Sequence, residues 1–345
     1  MRLRIRHNNL FVKLYFVNFF IYLYFLSFYI DKQIFLVYIK EKTTKRRSTM
    51  KFGIYHVYWG RQWNDPFEVT CEKCRKASRM GFDVLEVNAV DLAALDAAKL
   101  ADLRSLASDC GIRLTAGSGL TPQRNVASEN PEIRRAGIEY LKRTFECLDR
   151  AGVHKLAGMM YSCWPETAVR KGTTKEAHRE RSILSLREIA DAAADHGVQL
   201  MLEVANRFEC FLLNTSEEAT AYVKEVGKQN VFVMLDSFHM NIEEDHIGDA
   251  IRTAGRYLGH LHIGESNRKV PGKGHIPWKE IGQGLRDIDF SGDVVMEPFV
   301  LHNCPVGDDI GVWRDLSDGA DEARLDSDLE ESLRFLKKEF GVSSL

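Results

Sequence analysis

The sequence predicts a single (β/α)8 barrel, the TIM-barrel architecture. Three observations predict it. From residue 51 onward, eight short apolar runs alternate with eight longer amphipathic segments over about 295 residues. No P-loop or GxGxxG turn follows any strand, and "YWGRQW" after the first run is not one; a doubly wound open sheet would prefer such a turn. No low-complexity linker, and no repeat beyond the strand–helix period, marks a second domain.

Taken in order, residues 52–58 (FGIYHVY) form the first strand, and Pro66 opens a helix over 66–80 that stops at Gly81. Strand two is 83–87 (DVLEV), followed by a helix over 92–110 ending at Gly111. Strand three is 112–116 (IRLTA); Pro131 starts the helix 131–150, which ends before Gly152. Strand four is 155–158 (KLAG), with a helix over 175–196 closed by Gly197. Strand five is 198–204 (VQLMLEV); Asn214-Thr215-Ser216 before Glu217-Glu218 caps the helix 216–227. Strand six is 231–236 (VFVMLD), with a helix over 243–255; strand seven is 258–263 (LGHLHI), with a short helix over 278–287. Strand eight is 293–297 (DVVME), and a last helix covers 325–340.

Residues 1–49 differ from the rest. They contain no Gly, Ala, Pro, Trp or Cys, and residues 15–30 are an uncharged run, "YFVNFFIYLYFLSFYI". That run is short of the ~20 residues of a usual membrane span, and no small-residue cleavage site follows it. The segment is expected to be an unstructured or hydrophobic extension outside the fold, such as AT-rich untranslated DNA read through. A membrane contact is expected only if it is a genuine anchor. The catalytic domain is expected to be residues 50–345, starting at Met50.

The net charge of −2, with no basic stripe beyond the N-terminus, gives no reason to expect a nucleic-acid partner. Seven irregularly spaced cysteines argue against a disulfide framework and for a reducing cytoplasm. Cys71 and Cys74 form a lone CxxC, read as two small residues on one helix face.

Barrel enzymes carry their chemistry at the C-terminal ends of the strands. Strand five ends with Glu203, strand six with Asp236, strand seven with His260 and His262, and strand eight with Glu297. Any one of them alone reads as a satisfied core polar group. At four successive strand ends they place three carboxylates and an imidazole around one cavity. Such carboxylates repel unless a cation lies between them, and oxygen ligands with one imidazole suit Mn²⁺, Mg²⁺ or Co²⁺. His260 and His262 share one strand face. His262 is nearer the mouth and is the expected ligand; His260 is expected one layer deeper as a hydrogen-bonded interior residue. Around them lie Arg207, Glu209, His239 and Arg268, with Tyr55, Trp59, Trp63, Trp164 and Phe299 as aromatic walls. Salt-bridged loop charges and an ordinary apolar rim are the plainer readings of these.

A divalent ion chelating a carbonyl and the neighbouring hydroxyl acidifies the C–H between them. With Glu203 on one side and Glu297 on the other, one removes the proton and the other returns one to the opposite face, which epimerises that carbon. Return of the proton to the carbonyl carbon gives aldose–ketose isomerisation instead, and the ligand set alone leaves both open.

Residues 50–345 resemble the ketose 3-epimerases, the D-tagatose and D-psicose (D-allulose) 3-epimerase group of the xylose-isomerase-like barrels. The resemblance is carried by "GIYHVYW", "EVANRFE", "NVFVMLDSFHMNIEED", "GHLHIGESNRKVPGKG", "MEPFV" and "VWRDLS". It implies that Glu203, Asp236, His262 and Glu297 bind one Mn²⁺ or Co²⁺ per subunit, and that Glu203 and Glu297 exchange the C3 proton of a free ketohexose through a cis-enediolate. It implies that Glu209, His239 and Arg268 bind the O1–O3 end, that Tyr55, Trp164 and Phe299 line the pocket, and that the protein is a cytoplasmic homodimer or homotetramer. Ala205, Met159, Met160 and Cys163 depart from the pattern, in ways that bear on substrate preference rather than mechanism. An aldose–ketose or hydroxypyruvate isomerase on the same barrel is the second reading. An endonuclease IV-like phosphodiesterase is the remote one, since it needs more histidine ligands and a basic groove.

Overall fold

The structure, a computed structural model, describes residues 50–167 and 174–342. The expected extension 1–49, with its apolar run, lies outside the described residues. Among the described residues no helix is long and apolar enough to cross a membrane.

Eight parallel strands close into a barrel in sequence order: β1 (Lys51–Tyr55), β2 (Val84–Asn88), β3 (Arg113–Gly119), β4 (Lys155–Met159), β5 (Gln199–Glu203), β6 (Val231–Asp236), β7 (Leu258–Ile263) and β8 (Asp293–Met296). The larger helices outside it are α1 (Phe67–Arg79), α3 (Ala97–Asp109), α4 (Pro131–Arg150), α5 (Lys175–Asp195), α6 (Ser216–Val226), α8 (Ile247–Ala254), α9 (Trp278–Asp287) and α11 (Glu322–Glu339). Shorter helices are α2 (Ala89–Ala93), α7 (Ser237–Glu243) and α10 (Pro305–Ile310). The stop glycines 81, 111, 152, 197 and 227 all have positive φ, the conformation that ends a helix at low cost only for glycine.

Three boundaries differ from expectation, each for a local reason. β1 stops at Tyr55 because His56–Trp59 winds into a 3-10 turn. The segment 92–110 is α2 plus α3, since the Asp96 side chain accepts from Lys99 N at 2.9 Å and starts a new helix. The segment 243–255 is preceded by α7, because Asp236 accepts from Phe238 N at 2.7 Å and turns strand directly into helix. α10 has six residues, too few for periodicity to reveal. Cys71 and Cys74 are free and buried on α1.

Strand alternation aims every second side chain inward. Gln199, Met201 and Glu203 of β5 thus climb one face, and Met201 packs with Ala157, Met234 and Phe232 in the barrel interior. Below them the fully buried Asp293 pairs with Arg113 and with Lys155, whose Nζ is 2.9 Å away. β7 reaches the right phase through a bulge. Val233 pairs with Leu258 but Met234 pairs with His260, so Gly259 is an extra residue. A Cβ on Gly259 would lie 2.6 Å from Met201 Sδ and 2.7 Å from Phe232 Cβ. Beyond the bulge, His262 sits opposite Asp236.

Gly158 on β4 has φ 116°, and a Cβ there would lie 2.2 Å from the Ser118 carbonyl oxygen. Gly158→Ala is therefore expected to destabilise the protein by at least ~2 kcal/mol, from strained backbone plus a clash that neither strand can relieve. A denaturant midpoint unchanged from wild type would contradict this.

Candidate active site

The mouth of the barrel holds a cavity of about 390 Å³. The strand ends deliver Glu203, Asp236, His262 and Glu297 to one point at its base, with one ligand atom from each lying within 4.8 Å of all the others. Glu297 follows β8 and is fixed by its own N–H, which donates to Ile263 O at 2.9 Å. Asp236 keeps one oxygen on the α7 cap, and its Oδ2 is buried without a hydrogen-bond partner. His262 Nδ1 is likewise buried and unpartnered, 3.2 Å from Glu297 Oε1. Two orphaned buried polar atoms aimed at two further carboxylates fit a divalent cation, and three oxygens with one nitrogen suit Mn²⁺, Co²⁺ or Mg²⁺.

The charges here are strongly coupled. Burial pushes the Glu203 and Asp236 carboxyls above the usual range. At Glu297 burial acts the same way, but His262 and Arg268 outweigh it and hold the carboxyl low. Burial alone would depress His262, yet Glu297 and Glu86 raise it well above an ordinary histidine.

A polar ring surrounds this point. Arg268 is a non-glycine residue with φ 64°. Its backbone is clamped by Arg268 N donating to Glu265 O and by Phe299 N donating to Arg268 O, both at 2.8 Å. Its guanidinium lies 3.5 Å from the Phe238 ring centroid, 3.5 Å from Glu297 Oε2 and 3.7 Å from Glu209 Oε1. Glu209 accepts from Trp164 Nε1 at 2.8 Å and from Asn206 Nδ2 at 3.1 Å. His239 Nδ1 faces Asn206 Nδ2 at 2.7 Å, and its Nε2 is 3.6 Å from Glu203 Oε1. Trp63 packs edge-on against both Trp164 and Phe299, and Phe299 against Tyr55, which completes an aromatic wall.

Of the ten residues to which the resemblance gives a role, nine line this cavity, namely Tyr55, Trp164, Glu203, Glu209, His239, His262, Arg268, Glu297 and Phe299, and Trp63 lines it with them. Asp236 lies just beneath it. Two looser candidates go elsewhere. Arg207 turns outward and grips Glu243 with Nε and Nη2 at 2.9 and 2.7 Å, and Trp59 donates to Asp326. His260 is fully buried below His262, with Nε2 3.1 Å from Glu86 Oε2. Met159 lines the cavity; Met160 and Cys163 are buried outside its lining.

Sequence reasoning missed three supporting residues. Glu86 lines the cavity floor, Asn206 joins His239 to Glu209, and buried Glu265 accepts from Gly272 N, Ile276 N and Trp278 Nε1 to shape the loop that carries Arg268. Only Glu86 had a signal, a carboxylate inside the apolar run "DVLEV".

The family model described as xylose isomerase-like TIM barrel matches residues 74–338. The chain is 48% identical over 286 residues to a D-psicose 3-epimerase of Agrobacterium fabrum, covering 83% of this chain and 98% of that one. Among solved structures, it is similar to a D-psicose 3-epimerase crystallised in the presence of D-fructose, with a TM-score of 0.81 and 47% identity, covering 85% of this chain and all (100%) of that one. A D-psicose 3-epimerase from Clostridium cellulolyticum H10 with D-tagatose also has a TM-score of 0.81, at 46% identity, covering 84% and 99% of the two chains.

Proposed function

The chain belongs to the xylose isomerase-like TIM-barrel family and, within it, to the D-psicose 3-epimerase group; from that premise we propose that it epimerises free ketohexoses at C3, interconverting D-fructose and D-psicose and acting also on D-tagatose and D-sorbose. The observation that carries the reading is the meeting of Glu203, Asp236, His262 and Glu297 within 4.8 Å, two of them glutamates from strands separated by two others. Mn²⁺ or Co²⁺, with Mg²⁺ as the third choice, is the cation that this donor set would hold. When bound, it would polarise the substrate's carbonyl and neighbouring hydroxyl and so acidify the C3 hydrogen.

The protein's own groups do the rest. One of Glu203 and Glu297 takes the C3 proton, leaving the sugar as its cis-enediolate, and the other delivers a proton to the opposite face of C3. Burial makes Glu203 a stronger base than a carboxylate in water, whereas His262 and Arg268 keep Glu297 ionised. Arg268 donates toward the O1–O3 end from a guanidinium held over the Phe238 ring. Glu209, locked by Trp164 and Asn206, accepts from a sugar hydroxyl. His239 takes Asn206 on Nδ1 and so presents Nε2–H to the cavity. Tyr55, Trp164 and Phe299 exclude water from the exchanging proton, which favours return over loss.

The direct test is to incubate the protein with D-fructose and Mn²⁺ and separate the products. D-psicose is expected. Glucose or mannose would move the assignment to aldose–ketose isomerisation, for which the ligand set is equally suited.

A further inference from the structure

The proton exchange leaves Glu86 without a part, although this carboxylate is fully buried on β2 beside the cation ligands. Such burial is costly unless each oxygen is satisfied. Here each is: Oε1 meets His262 Nε2 at 2.6 Å, and Oε2 accepts from Thr115 Oγ1 at 2.8 Å and lies 3.1 Å from His260 Nε2. An ionised carboxylate has no proton to give. The short contact to His262 therefore requires that histidine's proton on Nε2, so that the neutral ring, the form that can ligate a cation, carries its lone pair on Nδ1. Nδ1 is the ring atom that makes no hydrogen bond and faces the Glu297 carboxylate at 3.2 Å.

We infer that Glu86 is a positioning residue: it fixes the tautomer and ring plane of His262, so that Nδ1 is presented to the cation. Thr115 holds the second oxygen and keeps the carboxylate from rotating. This inference rests on the reading that Glu203, Asp236, His262 and Glu297 hold a divalent ion. Glu86 touches neither that ion nor the sugar and acts only through His262.

Glu86→Gln is the informative change, because it keeps the volume and supplies an NH₂ that can face Nε2. Two measurements are made on wild type and variant. In the metal-free protein labelled with ¹⁵N-histidine, at a pH high enough to leave His262 neutral, long-range ¹H–¹⁵N spectra read its tautomer: Nε2–H is expected in wild type, and Nδ1–H or a mixture in the variant. Titration with Mn²⁺ should give a Kd raised by about 10–100-fold in the variant, with kcat at saturating Mn²⁺ much less affected. An Nδ1–H tautomer in wild type, or an unchanged Mn²⁺ Kd in Glu86→Gln, overturns the inference. A polar residue that merely filled the barrel floor would lower the melting temperature and leave both readouts unmoved. If Glu86→Gln does not fold, the wild-type tautomer decides alone. Wild-type protein that binds no Mn²⁺ would sink the metal reading itself, while the tautomer spectrum still judges Glu86.

Discussion

Replacing either Glu203 or Glu297 with glutamine should stop C3 proton exchange, with a loss of about 10²–10⁴-fold or more for removal of one positioned acid–base group. The measurement is deuterium uptake at C3 from D₂O, which reads proton abstraction even when no product accumulates. Glutamine keeps the shape of the buried side chain, so gross unfolding is not expected. Both residues also belong to the proposed cation site, so Mn²⁺ affinity is measured alongside. A variant that still binds Mn²⁺ but does not exchange isolates the proton-transfer role. Normal exchange in either variant would remove that glutamate from the mechanism.

Exhaustive chelation should abolish activity, and Mn²⁺ or Co²⁺ should restore it. The structural reason is the crowding of Glu203, Asp236 and Glu297 within 4.8 Å of one another. Without a cation these carboxylates repel and are costly to desolvate, so ligand binding should also stabilise the fold. At a free-ion concentration 100 times Kd the gain is about 2.7 kcal/mol, visible as a rise in melting temperature of the chelated protein on adding Mn²⁺. Full activity after removal of all bound metal would refute the requirement, whatever the thermal shift.

The barrel was legible because its eight strands are apolar runs bounded by polar helix starts and stop glycines, all short-range signals. The residues of the proposed cation site were legible for a similar reason, as each is a polar residue closing such a run. What stayed hidden depends on tertiary contact or on register. Glu86 bears the same mark as Glu203, but it sits two residues before the end of β2, on a strand not adjacent to the other four. Asn206 and Glu265 are loop residues whose roles exist only once His239, Glu209 and the backbone amides near Gly272 are folded against them. Arg207 looked equivalent to Glu209 in the same loop, and only the fold shows it turned to Glu243.

The unpaired Gly259 has a consequence for protein engineering. Sequence spacing put both β7 histidines on one side of the strand, but which side is decided by this single inserted residue. Flattening the bulge so that Gly259 took a place in the ladder opposite Met234 would shift the whole upper half of the strand by one step, swinging both imidazoles out toward the helices and an aliphatic pair, Leu261 and Ile263, into the lumen. Anyone transplanting this centre onto another scaffold must copy the irregularity with the ligands, since an idealised strand carrying the same letters would face them the wrong way.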